Sequence, residues 1–427
     1  ANGFEGCLAE SWDVSEDGKV YPFHIRPGVL FSDGEKCDAY AIKANFDAIL
    51  ENKDRHTWLE MMHLLVGVDA PDENTFVIEL SEPYYPLLTE LGVTRPFAMI
   101  SPKAMKDGST KDGVEAYIGT GPYVLDEFVT DEYAIFKANP NYWGEQPAIK
   151  TITVKVIPDN QTRILALEKG EIDMIFGKNM IDADAINQYL DSDKFTVELS
   201  DPTSTRQIVL NTSSDILSEK DVRIALQHAT NKQNISDGIF YGLEKPADTL
   251  FAKTVPYCNI DLEPFAYDLE LAGQILDDAG WKMGSGNVRE KDGKQLNIDL
   301  LYNSDSVTEK SIAEYLQSEY QTIGVALNIH GEEEQSYRDN MKAGNFDMVF
   351  NIWGTPYDPQ SSLAAMRAPV YGDYAAQLGL DDKAEIDEAI TEILITTDED
   401  RRQELYTYVL THLHEDAVYI PLTYECN

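Results

Sequence analysis

The sequence predicts an α/β protein with more than one hydrophobic core. The chain has 427 residues, too many for a single core and enough for two or three domains. Segments of helical and strand periodicity alternate along its length, the pattern of sheets covered by helices. No low-complexity stretch and no repeat with a period of about 20–50 residues is present, which excludes solenoids and propellers.

Residues 20–25 alternate as a strand, and Arg26-Pro27-Gly28 turns the chain. Residues 38–51 place Ala41, Phe46, Ile49 and Leu50 at helical spacing, with Asp38 as N-cap. Strands are expected at 75–80 and at 151–157, where Ile152, Val154 and Val156 alternate. A helix at 159–170 ends at Gly170, and the apolar run 172–176 reads as a buried strand. Residues 221–231 form a helix with Val222, Ala225, Leu226 and Ala229 on one face. A turn at 291–293 precedes a strand at 296–300. An amphipathic helix at 311–323 closes at Gly324 and is followed by a strand at 325–329. The same helix–Gly–strand order recurs at 335–344 and 346–350, and a last helix (401–414) leads to a strand at 417–422.

Lys and Arg number 34 against 75 Asp and Glu, a net charge of −41. Such a chain repels phosphate backbones and anionic bilayers, so nucleic acid is not an expected partner. The carboxylates are scattered, which favours solubility as their role. No apolar run approaches the roughly 20 residues of a membrane helix. The four cysteines, Cys7, Cys37, Cys258 and Cys426, form no CxxC pair and no zinc or redox motif, and disulfides stay open. Phe4-Glu5-Gly6-Cys7 has the outline of a lipoprotein cleavage site, which acidic Glu5 fits poorly. A chain that starts at Ala1 is expected to be processed or a fragment.

No nucleophile elbow, P-loop, dinucleotide fingerprint or HExxH motif occurs. His412 and His414 stand two apart on a helix, which points their rings apart. The chemistry lies instead in aromatics and arginines within turn-rich segments: Arg55-His56-Thr57-Trp58, Arg95-Pro96-Phe97 and Trp353-Gly354-Thr355-Pro356-Tyr357-Asp358-Pro359. Taken singly, each fits packing, a surface ion pair or a tight turn. Together they offer guanidinium forks for carboxylates and flat aromatic walls, which grip a small anion without transforming it. A hydrolase would need a carboxylate pair at fixed separation, and no motif marks one.

These residues resemble the peptide/nickel family of ABC-transporter solute-binding proteins, solute-binding protein family 5. The likeness is carried by Leu8-Ala9-Glu10-Ser11-Trp12, Phe31-Ser32-Asp33-Gly34-Glu35, Gly119-Thr120-Gly121-Pro122-Tyr123 and Asn141-Tyr142-Trp143-Gly144, in this order. Within the family the nickel-binding branch matches best, through Arg55-His56-Thr57-Trp58-Leu59-Glu60, Tyr84-Tyr85-Pro86, Arg95-Pro96-Phe97, Ala247-Asp248-Thr249-Leu250-Phe251-Ala252 and the Trp353 segment.

The resemblance implies an α/β, two-lobed periplasmic-binding-protein fold with mixed sheets and a hinged ligand cleft. The first lobe is expected at 1–202 and the second at 203–425, with 426–427 starting a return to the first lobe. It implies a binder and not an enzyme, with no catalytic cofactor. The cargo is nickel in a small organic chelate, delivered to a membrane permease by a monomer that is periplasmic or extracellular and membrane-associated. A free oligopeptide or dipeptide is the alternative, with haem or another metallophore behind it. By resemblance Arg55 and Arg95 face the ligand's carboxylates, Trp58 and Trp353 are aromatic walls, and Tyr337 and Tyr357 line the cleft. Tyr371 stands where the branch carries a histidine able to touch the metal. A phenol with pKa about 10 is a poor nickel ligand near neutral pH, whereas imidazole suits nickel. Either the chelator supplies every ligand or another residue does, and His56 is the first to consider.

Overall fold

The computed structural model describes residues 3–177, 180–202, 204–351, 359–369 and 371–426. It divides into two compact units, Ala1–Asp173 and Met174–Asn427.

Unit 1 opens with an antiparallel sheet of β1 (Ala9–Trp12), β2 (Val20–Ile25), β3 (Leu65–Asp72) and β4 (Thr75–Leu80), in the order β1-β2-β4-β3. Between β2 and β3 run α1 (Ala39–Glu51) and the single-turn α2 (Met61–Leu64). After β4 come two more short turns, α3 (Leu87–Leu91) and α4 (Thr94–Phe97), and the pair β5 (Met105–Lys106) and β6 (Ser109–Val114). The unit closes with a second antiparallel sheet, β7 (Tyr123–Val129), β8 (Tyr133–Ala138) and β9 (Thr151–Lys155), and then α5 (Asn160–Glu168).

α1 forms where its sequence says it should. The Asp38 carboxylate accepts the Ala41 N–H at 3.0 Å, and Ala41, Ile42, Phe46 and Ile49 are buried. Phe46 packs on Phe76 of β4 with ring centroids 4.8 Å apart. Ile42, Phe46 and Ile49 each contribute about 1.5–3 kcal/mol through burial. Asp159 caps α5 in the same way, accepting the Thr162 N–H at 2.8 Å.

Unit 2 is built on one six-stranded mixed sheet. Its elements in chain order are α6 (Ala183–Tyr189), β10 (Ser204–Leu210), α7 (Lys220–His228), α8 (Lys232–Ile239), β11 (Lys245–Pro246) and α9 (Leu269–Asp278). A small three-stranded sheet follows, β12 (Lys282–Met283), β13 (Arg289–Lys291) and β14 (Lys294–Gln295). Then come β15 (Asn297–Asn303), α10 (Val307–Thr322), β16 (Ala326–Glu332), α11 (Glu334–Ala343) and β17 (Met348–Asn351). The last elements are α12 (Pro359–Met366), α13 (Gly372–Gln377), α14 (Lys383–Ile395), α15 (Glu399–Glu415) and β18 (Tyr419–Glu425). The main sheet runs β11-β18-β10-β17-β15-β16, with β15 parallel to β16 and β17 and the other pairs antiparallel.

Strand alternation sorts the core into two layers. Ile208, Leu210, Leu300, Met348, Phe350, Ile420 and Leu422 face α7, α9 and α10. Val209, Leu301, Val349 and Tyr419 face α11 to α15. Gly324 (φ 83°) and Gly344 (φ 71°) end α10 and α11 in the left-handed region, as the helix–Gly–strand pattern implies.

One expectation needs adjustment. The run 172–176 is not a strand: Met174 is 72% and Phe176 86% exposed. An apolar run becomes a strand only where a neighbour pairs with it, and none does so among the described residues. The units divide between Asp173 and Met174, and the main sheet of unit 2 starts at Ser204.

Candidate ligand-binding site

Unit 1 brings together the first two arginine–aromatic segments. Arg55 ends a 3-10 turn (Lys53–Arg55) after α1, and its Nη1 donates to the Lys111 carbonyl at 3.3 Å. The segment is anchored on the far side by buried Leu59, Met61 and Met62, which leaves Trp58 39% exposed. Arg95 comes from α4, where its backbone is extended rather than helical. Phe97, two residues on, stacks on Phe46 at 5.6 Å and ties α4 to the core under α1. Buried Asn45 of α1 fixes the next stretch, since its amide bonds both the N–H (3.0 Å) and the carbonyl (2.9 Å) of Ile100.

The Arg95 guanidinium lies 6.0 Å from the centre of the Trp58 ring, an approach that favours a cation over an indole face. Both arginines are exposed, and neither forms an ion pair among the described residues. His56 sits between them. Burial, then Arg95, then Arg55 hold its imidazole below the usual histidine range. Its Nδ1 is buried without a hydrogen-bond partner among the described residues. The arrangement sets two exposed guanidiniums beside one indole and one imidazole, groups suited to a small planar or carboxylate-bearing anion.

The candidates of unit 2 fall elsewhere. Tyr337, on α11, is 7% exposed within the core layer under α11 to α15, and its hydroxyl donates to the Phe350 carbonyl of β17. Burial pushes its phenol far up. Tyr371 is half-buried and precedes α13, with its N–H on the Ala368 carbonyl at 3.1 Å. Trp353 and Tyr357 lie outside the described residues. His412 faces Asp382 at 2.5 Å while His414 meets the Glu263 carbonyl at 2.8 Å, so the two rings do turn to different partners. Among the described residues no group of three or more His, Cys, Asp or Glu side chains is placed to hold a bare metal ion.

The segments that carried the resemblance are scaffold. Asp33 accepts Ser101 Oγ at 2.7 Å and the Glu35 N–H at 3.0 Å. Asn139 is fully buried, donating to the Gly121 carbonyl (2.8 Å) and accepting the Asn141 N–H (2.9 Å). Arg26 stacks over Trp143 at 4.6 Å and pairs with Glu10 at 3.1 Å. The model of bacterial extracellular solute-binding proteins, family 5 (middle), matches residues 3–372. The chain belongs to this family.

The nickel-binding periplasmic protein of Escherichia coli (strain K12) is 43% identical over 420 residues, 98% of this chain and 80% of that protein. The crystal structure of NikA from Brucella suis in complex with Fe(III)-EDTA superposes with a TM-score of 0.95 at 46% identity, covering 98% of this chain and 85% of that one. NikZ from Campylobacter jejuni in complex with Ni(L-His) gives a TM-score of 0.78 at 25% identity over 98% and 84% of the two chains. The family 5 chain has the α/β fold of the two-lobed periplasmic binding proteins, and it is a solute-binding component of an ABC importer. No helix among its described residues is long and apolar enough to cross a membrane.

Sequence reasoning missed one residue that the geometry makes prominent. Glu90, on α3, is 8% exposed and accepts from three donors: Tyr84 Oη at 2.7 Å, the Glu60 N–H at 3.1 Å and the Met61 N–H at 3.0 Å. No residue spacing announces a carboxylate inside a single helical turn, so no signal in the sequence marks it.

Proposed function

We propose that this protein captures nickel held in a small carboxylate- or histidine-type chelate and delivers it to a membrane permease, working as a periplasmic or outer-surface monomer without catalysis. The observation that carries the reading is the pair Arg55 and Arg95. In a chain with 75 acidic residues, these two exposed guanidiniums have no carboxylate partner among the described residues; Arg95 lies over Trp58 and both act on His56. The named ligands of the similar proteins, Fe(III)-EDTA and Ni(L-His), are carboxylate-bearing metal complexes and support it.

Arg55 and Arg95 take the chelate's carboxylates, and Trp58 packs on its face. Trp353, Tyr357 and Tyr371 are further contacts, and Tyr337 supports the strand that leads to Trp353. His56 is the residue able to add a protein ligand to the metal. A neutral imidazole is the form that coordinates nickel, and the lowered pKa keeps this one neutral at pH 7.

A thermal-shift and calorimetric screen of the whole chain tests the reading. Nickel with excess L-histidine is expected to bind and raise the unfolding temperature, while nickel-free dipeptides and tripeptides leave it unchanged. Binding of free peptides with no response to nickel–histidine assigns the protein to peptide uptake instead.

A further inference from the structure

Glu90 has no cationic partner among the described residues, yet it stays in the core of unit 1. Its surroundings explain how. Three donors and no acceptor point at its two oxygens, and an ionised carboxylate is the form that can satisfy all three. Burial opposes this and pushes its pKa up to about 7. The hydrogen bonds from Tyr84, Met61 and Glu60 pull down, and the like charge of Glu60 pushes up. Tyr84, ahead of α3, and Glu60, leading into α2, are the titratable groups acting on it. A proton on the oxygen facing Tyr84 turns that bond round, because a phenol also accepts, and a proton on either oxygen occupies a site the amide donors use and removes the charge they meet, so protonation weakens the set.

Those bonds lie between the two segments of the site. Glu60 and Met61 directly follow Trp58-Leu59, at the end of the segment that carries Arg55 and His56. The Glu90 carbonyl receives the Val93 N–H at 3.0 Å, and Arg95 is two residues further. One side chain thus joins the Trp58 segment to the short turns that present Arg95. We infer that Glu90 is a positioning residue: its buried carboxylate holds the Trp58 segment in register with Arg95, and ligand affinity follows its ionisation. The affinity half of this rests on the reading of Arg55, Trp58 and Arg95 as ligand contacts. The positioning half rests on the hydrogen bonds alone.

The test uses the whole chain and the variants Glu90→Gln and Tyr84→Phe. A glutamine keeps the size of the side chain and offers an N–H₂ where a second acceptor is needed. The first arm is amide exchange without ligand. In Glu90→Gln the Glu60 and Met61 amides exchange at least about tenfold faster, while the amides of α1 keep their protection. Unchanged exchange at those two amides overturns the inference whatever the ligand is, and so does loss of protection throughout α1, which means general unfolding.

The second arm titrates nickel with excess L-histidine between pH 6 and 8.5 and reads the ratio of wild-type to variant affinity, in which the titration of the probe cancels. Glu90→Gln binds about tenfold more weakly at pH 8.5 and within about threefold of wild type at pH 6. Tyr84→Phe removes one donor from the anion, so its affinity loss is expected to set in at a higher pH than in wild type. A Glu90→Gln ratio that is flat with pH overturns the affinity half. If wild type does not bind the nickel probe, the nickel reading falls and the exchange arm still decides the positioning role.

Discussion

Arg206 and Arg402 differ from Arg55 and Arg95 in the partners they meet. Arg206 is buried between Glu244 at 3.0 Å and Glu425 at 2.6 Å, and Arg402 gives its guanidinium to the Ile393 and Thr396 carbonyls. These are structural, and removing one side of such a buried pair costs about 3–5 kcal/mol. Arg55 and Arg95 are exposed and without carboxylates among the described residues. Replacing Arg95 by Ala is therefore expected to leave stability within about 0.5 kcal/mol. It weakens nickel–histidine binding by about 2–4 kcal/mol, if the guanidinium makes a desolvated charged hydrogen bond in the complex. Calorimetry and urea unfolding on one preparation measure both, and unchanged affinity removes Arg95 from the site.

At the scale of elements, the site is held by what lies beneath it. α1 supplies both anchors, Phe46 under Phe97 and Asn45 to Ile100. Asn45→Ala leaves the Ile100 N–H and carbonyl without their side-chain partner. It is expected to cost about 2 kcal/mol, seen as a lower urea midpoint with an unchanged slope.

Elements whose ends are written in local chemistry were legible in the sequence. Asp38 starts α1, Asp159 starts α5, and Gly324 and Gly344 close α10 and α11. The run 172–176 was not, because apolar periodicity says nothing of whether a second strand lies alongside. The site divides in the same way. Arg55, Trp58 and Arg95 stood out as cations and rings in turn-rich sequence, and the fold of unit 1 brings them together. A tyrosine reads alike as cleft wall and as core, and only tertiary packing reveals that the Tyr337 hydroxyl is engaged by Phe350. Glu90 reaches the Met61 N–H 29 positions away and Asn45 reaches Ile100 across 55, distances that local patterns do not span.

For the molecule as a whole, acidity sets the response to pH and salt. With a net charge of −41, ionisation of the carboxylates adds repulsion that salt screens. Glu90 acts in the same direction. Its pKa is raised from 4.5 to about 7, so between those values the folded chain keeps a proton that the unfolded chain has lost, and stability falls as pH rises. The full effect is about 3 kcal/mol. Lys232 is opposite in sign: burial lowers its pKa from 10.5 to about 8, so its share of stability grows as pH rises across that window. Thermal unfolding is thus expected at a higher temperature at pH 5.5 than at pH 7.5. Added sodium chloride narrows the gap, and Glu90→Gln flattens the slope between the two.

The order of strands in the main sheet of unit 2 bears on how the chain matures. β10 lies between β17 and β18, so the earliest strand of that sheet waits for the latest, and Ser204 meets Glu425 across 221 positions. A polypeptide delivered amino end first carries β10 with one flank bare until almost all of unit 2 has emerged. Loop closure on that scale is slow, and an unpaired flank in the meantime attracts other extended segments. The interval before β18 arrives is when that flank is most open to wrong pairing.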